Sequence, residues 1–129
     1  MSTLVTATVK SNSSSPPAFQ NSSGTEIGTL CRAWVNFNGT STVAIRAQFN
    51  VSSITDNGTG DYTVNFSSAL ADANYSFQGT ASQAGTGNNG QIVSQLASTA
   101  PTSTAIRIRT QQDNVGVTDS DYVYSAVFR

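Results

Sequence analysis

The chain has 129 residues, of which 37% are hydrophobic and only 10% charged, against a usual charged share of about 25%. It has room for one core-bearing domain and takes its solubility from hydroxyls and amides. A net charge of −1, with Lys10, Arg32, Arg46, Arg107, Arg109 and Arg129 scattered along the chain, excludes the clustered cationic footprint of a nucleic-acid binder. One cysteine, Cys31, and no histidine exclude an intrachain disulfide, a multi-cysteine metal centre and a Cys–His nucleophile.

The opening MSTLVTATVK lacks the basic start and continuous apolar core of a signal peptide, and no apolar run approaches the roughly 20 residues of a membrane helix. Synthesis in a reducing cytoplasm and no membrane insertion are therefore expected, with Cys31 a small buried hydrophobe. LVTATV (4–9) suits a strand. The following KSNSSSPPAFQNSSGTEIG is rich in Ser, Asn, Pro and Gly, with Phe19 and Ile27 as its apolar anchors, and its two adjacent prolines favour an extended path. Residues 1–29 read as an extended arm for attachment and oligomerisation, and residues 30–129 as a β head.

From residue 30 the apolar period is two. In CRAWVNFN, Cys31, Ala33, Val35 and Phe37 share one face and Arg32, Trp34, Asn36 and Asn38 the other; in TVAIRAQF, Val43, Ile45, Ala47 and Phe49 oppose Ala44, Arg46 and Gln48. NGTS between them signals an antiparallel hairpin. A second hairpin is expected where Val51 and Ile54 lead through TDNGTGD to Tyr62, Val64 and Phe66, since Asp, Asn and Gly are turn formers. Further strands are expected at 74–81, 90–97, 103–110 and 121–128. Strands at this spacing, without a helical stripe, predict an all-β antiparallel sandwich or barrel, since both share the period of two; a jelly-roll-like β-sandwich of about seven to nine strands with an N-terminal arm is expected.

Asp56, Asn57 and Asp61 offer oxygens of the kind calcium takes. DNGTGD, however, lacks both the spaced acidic ligands of a helix-loop-helix site and the Gly-x-Gly-x-Asp order of a nonapeptide repeat, so a plain turn is expected and no metal or cofactor is assigned. Asp113, Asp119 and Asp121 resemble the paired carboxylates of a glycosidase, but nothing in the spacing sets their separation, and a solvated loop is the simpler reading. With one lysine, no histidine and no nucleophile arrangement, the chain is not expected to be an enzyme. Seven Asn-x-Ser/Thr triplets, at Asn12, Asn21, Asn38, Asn50, Asn57, Asn65 and Asn74, follow from Asn- and Ser-rich composition. An outward Trp34 beside Arg46 is what protein interfaces tend to contain; packing beneath a loop or the arm is the competing role for Trp34.

The start MSTL, the arm's SSGTEIG and the run CRAWVNFNGTSTVAIRAQFNVSSITDNGTGDYTVNFSSALADANYSF resemble a module of tail-fibre and other virion structural proteins of tailed bacteriophages, notably those of marine cyanobacteria. The resemblance covers residues 1–5 and about 20–78. It implies an all-β virion component, commonly trimeric, on the tail or capsid surface, and it implies no catalytic residues. The chain departs from long fibre proteins in lacking a repetitive shaft. A homotrimer is therefore expected, with Leu4, Val5, Phe19, Ile27, Trp34 and Arg46 at subunit contacts and the arm meeting other virion proteins. A second expectation is recognition of a host surface glycan by distal loops carrying Asn88, Asn89, Gln91 and Asp113, with Tyr122 nearby.

Overall fold

A computed structural model describes residues 5–11, 16–84, 91–113 and 115–129, and all of their regular structure is β. The chain divides into two units, Met1–Leu30 and Cys31–Arg129.

In the first unit, β1 (Phe19–Gln20) pairs antiparallel with β2 (Glu26–Gly28). The turn is built by Asn21, whose Oδ1 accepts from the Ser23 and Thr25 amides at 3.0 Å each, a typical use of Asn to mimic a backbone turn. The expected extended arm thus contains a small hairpin. Residues 5–9 form no strand, contrary to the reading of LVTATV. Val5 and Val9 are exposed and residues 5–9 pair with neither β1 nor β2, so strand propensity finds no partner. Leu4 lies outside the described residues.

The second unit is the expected antiparallel β-sandwich. One sheet runs β4 (Ala44–Phe49), β3 (Cys31–Asn38), β11 (Tyr122–Phe128) and β7 (Ser76–Ser82). The other runs β5 (Val51–Gly58), β6 (Asp61–Phe66) and β9 (Ala105–Gln112), with β10 (Gly116–Val117) and β8 (Gln91–Gln95) also paired to β9. Because β8 and β10 both pair with Gln111 and Gln112, they occupy opposite edges of β9. The core between the sheets holds Ala33, Val35, Phe37, Val51, Tyr62, Val64, Phe66, Ile106, Ile108, Val123 and Val127, the inward residues of period-two strands. The chain's last strand, β11, lies in the middle of its sheet, bonded to β3 and β7.

At one end of the core the Tyr62 ring meets Phe37 edge-on, with centroids 5.2 Å apart. Its hydroxyl lies 2.7 Å from Asp119 Oδ1 and 2.8 Å from the Gly39 carbonyl oxygen. One phenolic proton serves both acceptors. Asp119 Oδ1 also accepts from the Gly60 amide at 2.7 Å, so one carboxylate joins the β5–β6 turn to the segment that leads into β11. Burial, followed by the hydrogen bond to Asp119 and its charge, holds the Tyr62 phenol protonated far above its ordinary range. A Cβ on Gly39 would stand 2.7 Å from the Tyr62 hydroxyl, so this approach requires glycine. At the far edge of the sandwich, Gly79 has no side chain to keep Val93 of β8 away from β7, where a Cβ would meet it at 2.8 Å.

Two register jumps change the alternation read from the sequence. Between β3 and β4, Asn36 faces Ala47 but Phe37 faces Ile45, which leaves Arg46 as the extra residue of a bulge. Ile45 therefore packs against the core, whereas Ala47 and Phe49, expected inside, lie on the outer face, with Phe49 53% exposed. Between β3 and β11, Val127 faces Ala33 and Phe128 faces Cys31, with Arg32 skipped. Cys31 thereby leaves the core face and is half-buried instead of buried, its thiol donating to the Ala33 carbonyl at 3.4 Å. An extra residue shifts every later side chain to the opposite face.

These registers set a contrast in stability. Phe37→Ala is expected to cost about 3–5 kcal/mol, and Phe49→Ala under about 1 kcal/mol, since it leaves no interior cavity. Urea unfolding of the two variants checks this; equal losses would mean that Phe49 packs inside and the bulge is absent.

Candidate binding face

The outer faces of the two sheets differ in how their polar groups are used. On the five-stranded sheet they satisfy one another. Asn65 Nδ2 donates to Ser53 Oγ at 3.1 Å and Thr55 Oγ1 at 3.0 Å, and Asn57 Nδ2 donates to Thr63 Oγ1 at 3.0 Å. Arg107 grips Asp61 with both ends of its fork, Nε to Oδ1 at 2.8 Å and Nη2 to Oδ2 at 2.9 Å. The hydrogen bond from Arg107 holds the Asp61 carboxyl below its ordinary value, with the charges of Arg107 and Arg109 acting in the same direction. Asp56 Oδ1 meanwhile accepts from the Gly58 amide at 2.9 Å. The Asp56–Asp61 stretch is thus a hairpin whose turn falls at Thr59 and Gly60, with its carboxylates engaged by protein donors. Among the described residues, no group of three or more His, Cys, Asp or Glu side chains stands close enough to hold a metal ion.

The outer face of the four-stranded sheet is aromatic. The bulge at Arg46 and the alternation of β3 and β11 bring Trp34, Phe49, Tyr122, Tyr124 and Phe128 to this one surface. Across the strands Phe49 pairs with Trp34, Trp34 with Ala126, and Ala126 with Gln78; the next outward row is Ala47, Asn36, Tyr124 and Thr80. Small residues at Ala47 and Ala126 leave a concavity of about 410 Å³. Trp34, 40% exposed, and Tyr124, 42% exposed, stand beside the Ala126 floor. Asn36, Gln78 and Thr80 line it, and Asn36 Oδ1 is buried with no hydrogen-bond partner.

The residues expected to act together are distributed by the fold. Trp34 is a wall of the concavity. Arg46 lies over the Tyr122 ring, 4.4 Å from its centroid, so both are engaged with each other. Gln91 begins β8, and its Oε1 accepts from the buried Ser120 hydroxyl at 2.9 Å. Asp113 is exposed after β9, and Asn88 and Asn89 lie outside the described residues. Val5, Phe19 and Ile27 are exposed in the first unit. Of the acidic cluster, Asp119 binds Gly60 and Tyr62, and Asp121 accepts from Thr40 Oγ1 at 3.0 Å and from the Ala84 amide at 2.7 Å. Both carboxylates tie loops together at the end of the sandwich. Among the Asn-x-Ser/Thr triplets, Asn50 has a structural role. Its φ is 54°, its Nδ2 donates to the Arg32 and Ser68 carbonyls, and its Oδ1 accepts from the Ser68 amide. It holds the passage from β4 to β5, one sheet to the other, in a conformation that Asn tolerates.

Sequence reasoning missed Tyr124, Gln78, Thr80 and Ala126 as parts of a site. The outward phase of DYVYSAVF carried a signal for Tyr122 and Tyr124. Gln78 and Thr80 had none, because their importance comes from lying beside β11. No protein-family model, no curated protein and no solved structure matches the chain.

The Asp61–Arg107 pair gives a pH test with a definite sign. A carboxyl whose folded pKa lies below its unfolded value of about 3.9 stabilises the fold above that value, and the contribution is lost as pH falls through the folded pKa. The pair is bidentate and Asp61 is 15% exposed, so Asp61→Asn is expected to lose about 1 kcal/mol at pH 7. The gap between wild type and variant in urea midpoint should close as pH is lowered from 4 to 2; a gap independent of pH would mean that the pair is not the cause.

Proposed function

We propose that this chain is a non-enzymatic structural protein of the tailed-bacteriophage particle surface: a short homotrimeric tail fibre or fibre tip with a sandwich head and an assembling arm. The observation that carries this reading is the first unit. Val5 is 89% exposed and Ile27 67%, with Val9 and Phe19 also exposed. A segment of such composition buries too little surface alone to offset its ordering entropy, and sister arms supply the missing burial through closed symmetric association. The resemblance over residues 1–5 and about 20–78 supports the virion setting. The surface of neutral amides and hydroxyls and the use of Asp61, Asp119 and Asp121 by the fold support packing and adhesion over catalysis. A role in host attachment fits the same architecture, and the aromatic concavity on the head favours it.

Sedimentation of the full chain is expected to give three times the 13.4 kDa subunit mass. Phe19→Asp combined with Ile27→Asp should shift the mass toward the monomer while leaving the β circular-dichroism signal of the head intact. A wild-type monomer, or a trimer that survives the double substitution, overturns assembly through the arm.

A further inference from the structure

We infer that the concavity on the four-stranded sheet is a binding site for a neutral saccharide, stacked on Trp34 and Tyr124 and held at its edges by Asn36, Gln78 and Thr80. What the lining lacks narrows the ligand first. No Asp, Glu, Lys or Arg contributes to it, so an ionic ligand would lose hydration there and meet no counter-charge. A purely apolar ligand fits no better, because it would strip water from the amides of Asn36 and Gln78 and the hydroxyl of Thr80 without replacing those hydrogen bonds. These three side chains make no hydrogen bond among the described residues, and Asn36 Oδ1 is buried without a partner. On the opposite sheet the amides of Asn57 and Asn65 bond to neighbouring hydroxyls.

The ligand class that meets both conditions has an apolar face and a rim of groups that both donate and accept. A pyranose ring has that form: its C–H face stacks on an aromatic ring, and its hydroxyls match side-chain amides and hydroxyls in donor and acceptor capacity. The volume, about 410 Å³, lies within the range of about 300–1,000 Å³ common for small-molecule sites. The site is also built on strands. Trp34 and Tyr124 project from adjacent strands of one sheet, with Ala126 in register with Trp34 on one side and Gln78 on the other, and backbone ladders of this kind fix the spacing of the two rings more closely than loops do. Glycan recognition is thereby placed on the sheet face and away from the distal loops, and it does not depend on assembly through the arm.

Trp34 is the chain's only tryptophan, so its fluorescence reports this site directly. The full-length chain is titrated with neutral gluco-, galacto- and manno-oligosaccharides, each paired with a sulfated counterpart. A saturable change in Trp34 emission is expected with at least one neutral member and with none of the sulfated ones. Gln78→Ala and Tyr124→Ala are each expected to weaken binding at least tenfold, and Ala126→Phe, which fills the floor, to abolish it, all at unchanged melting temperature. Binding that persists in Ala126→Phe, preference for the sulfated sugars, or no saturable response to any member overturns the site. So does emission that follows protein concentration instead of sugar, since a sister copy would then cover the face. Sedimentation of the same samples separates this outcome from failure of the arm-based trimer.

Discussion

The head is organised around one buried phenol. Tyr62 is wholly enclosed, it packs edge-on to Phe37, and its hydroxyl is shared between Asp119 and the Gly39 carbonyl. Three turns distant in sequence meet here: the β3–β4 connection and the entry to β11 accept from the hydroxyl through the Gly39 carbonyl and Asp119, and the β5–β6 turn donates the Gly60 amide to the same Asp119 oxygen. A polar group at the end of an apolar core is costly unless its hydrogen bonds are met. Here meeting them brings the final strand to its place, because Asp119 stands only three residues before β11. Once β11 is seated between β3 and β7, the outer face of that sheet exists as a continuous surface, and the aromatic concavity follows from it.

The two arginine-centred bulges are the second determinant of this surface. Arg32 and Arg46 are the extra residues in neighbouring ladders of one sheet. Without the bulge at Arg46, Phe49 and Ala47 would add to the core and Trp34 would stand beside polar side chains. With it, Phe49 lies across from Trp34 on the outer face and Ala47 contributes low relief beside it. Bulges also blunt an edge strand against unwanted sheet extension, and β4 is an edge. A feature that protects the edge thus also gathers apolar area on the face, where it is available for a ligand.

The two faces of the sandwich use their polar residues differently. On the five-stranded sheet, Thr, Asn, Asp61 and Arg107 form a mutually bonded layer that holds its geometry without a partner. On the four-stranded sheet, Asn36, Gln78 and Thr80 remain uncommitted beside exposed rings. In a chain with so few charges, this division separates a passive surface from one suited to recognition, and composition gives no hint of which sheet takes which role.

The amino-acid sequence by itself determined the β class, the strands from Cys31 onward to within a few residues apart from the two-residue β10, both early hairpins and the outward placement of Trp34. Side-chain alternation is a local property of an extended backbone, and turn chemistry at Asn38–Gly39 and Thr59–Gly60 acts over a few residues. Only the tertiary structure decided that Phe49, Ala47 and Cys31 leave the core face, since a bulge is a mismatch between two strands and is invisible in either alone. It alone decided that Asp119 and Asp121 serve as ties between loops, and that Gln78 and Thr80 join Trp34 and Tyr124 at one surface. Those residues lie far apart along the chain, and β11, seated between β3 and β7, is what brings them together.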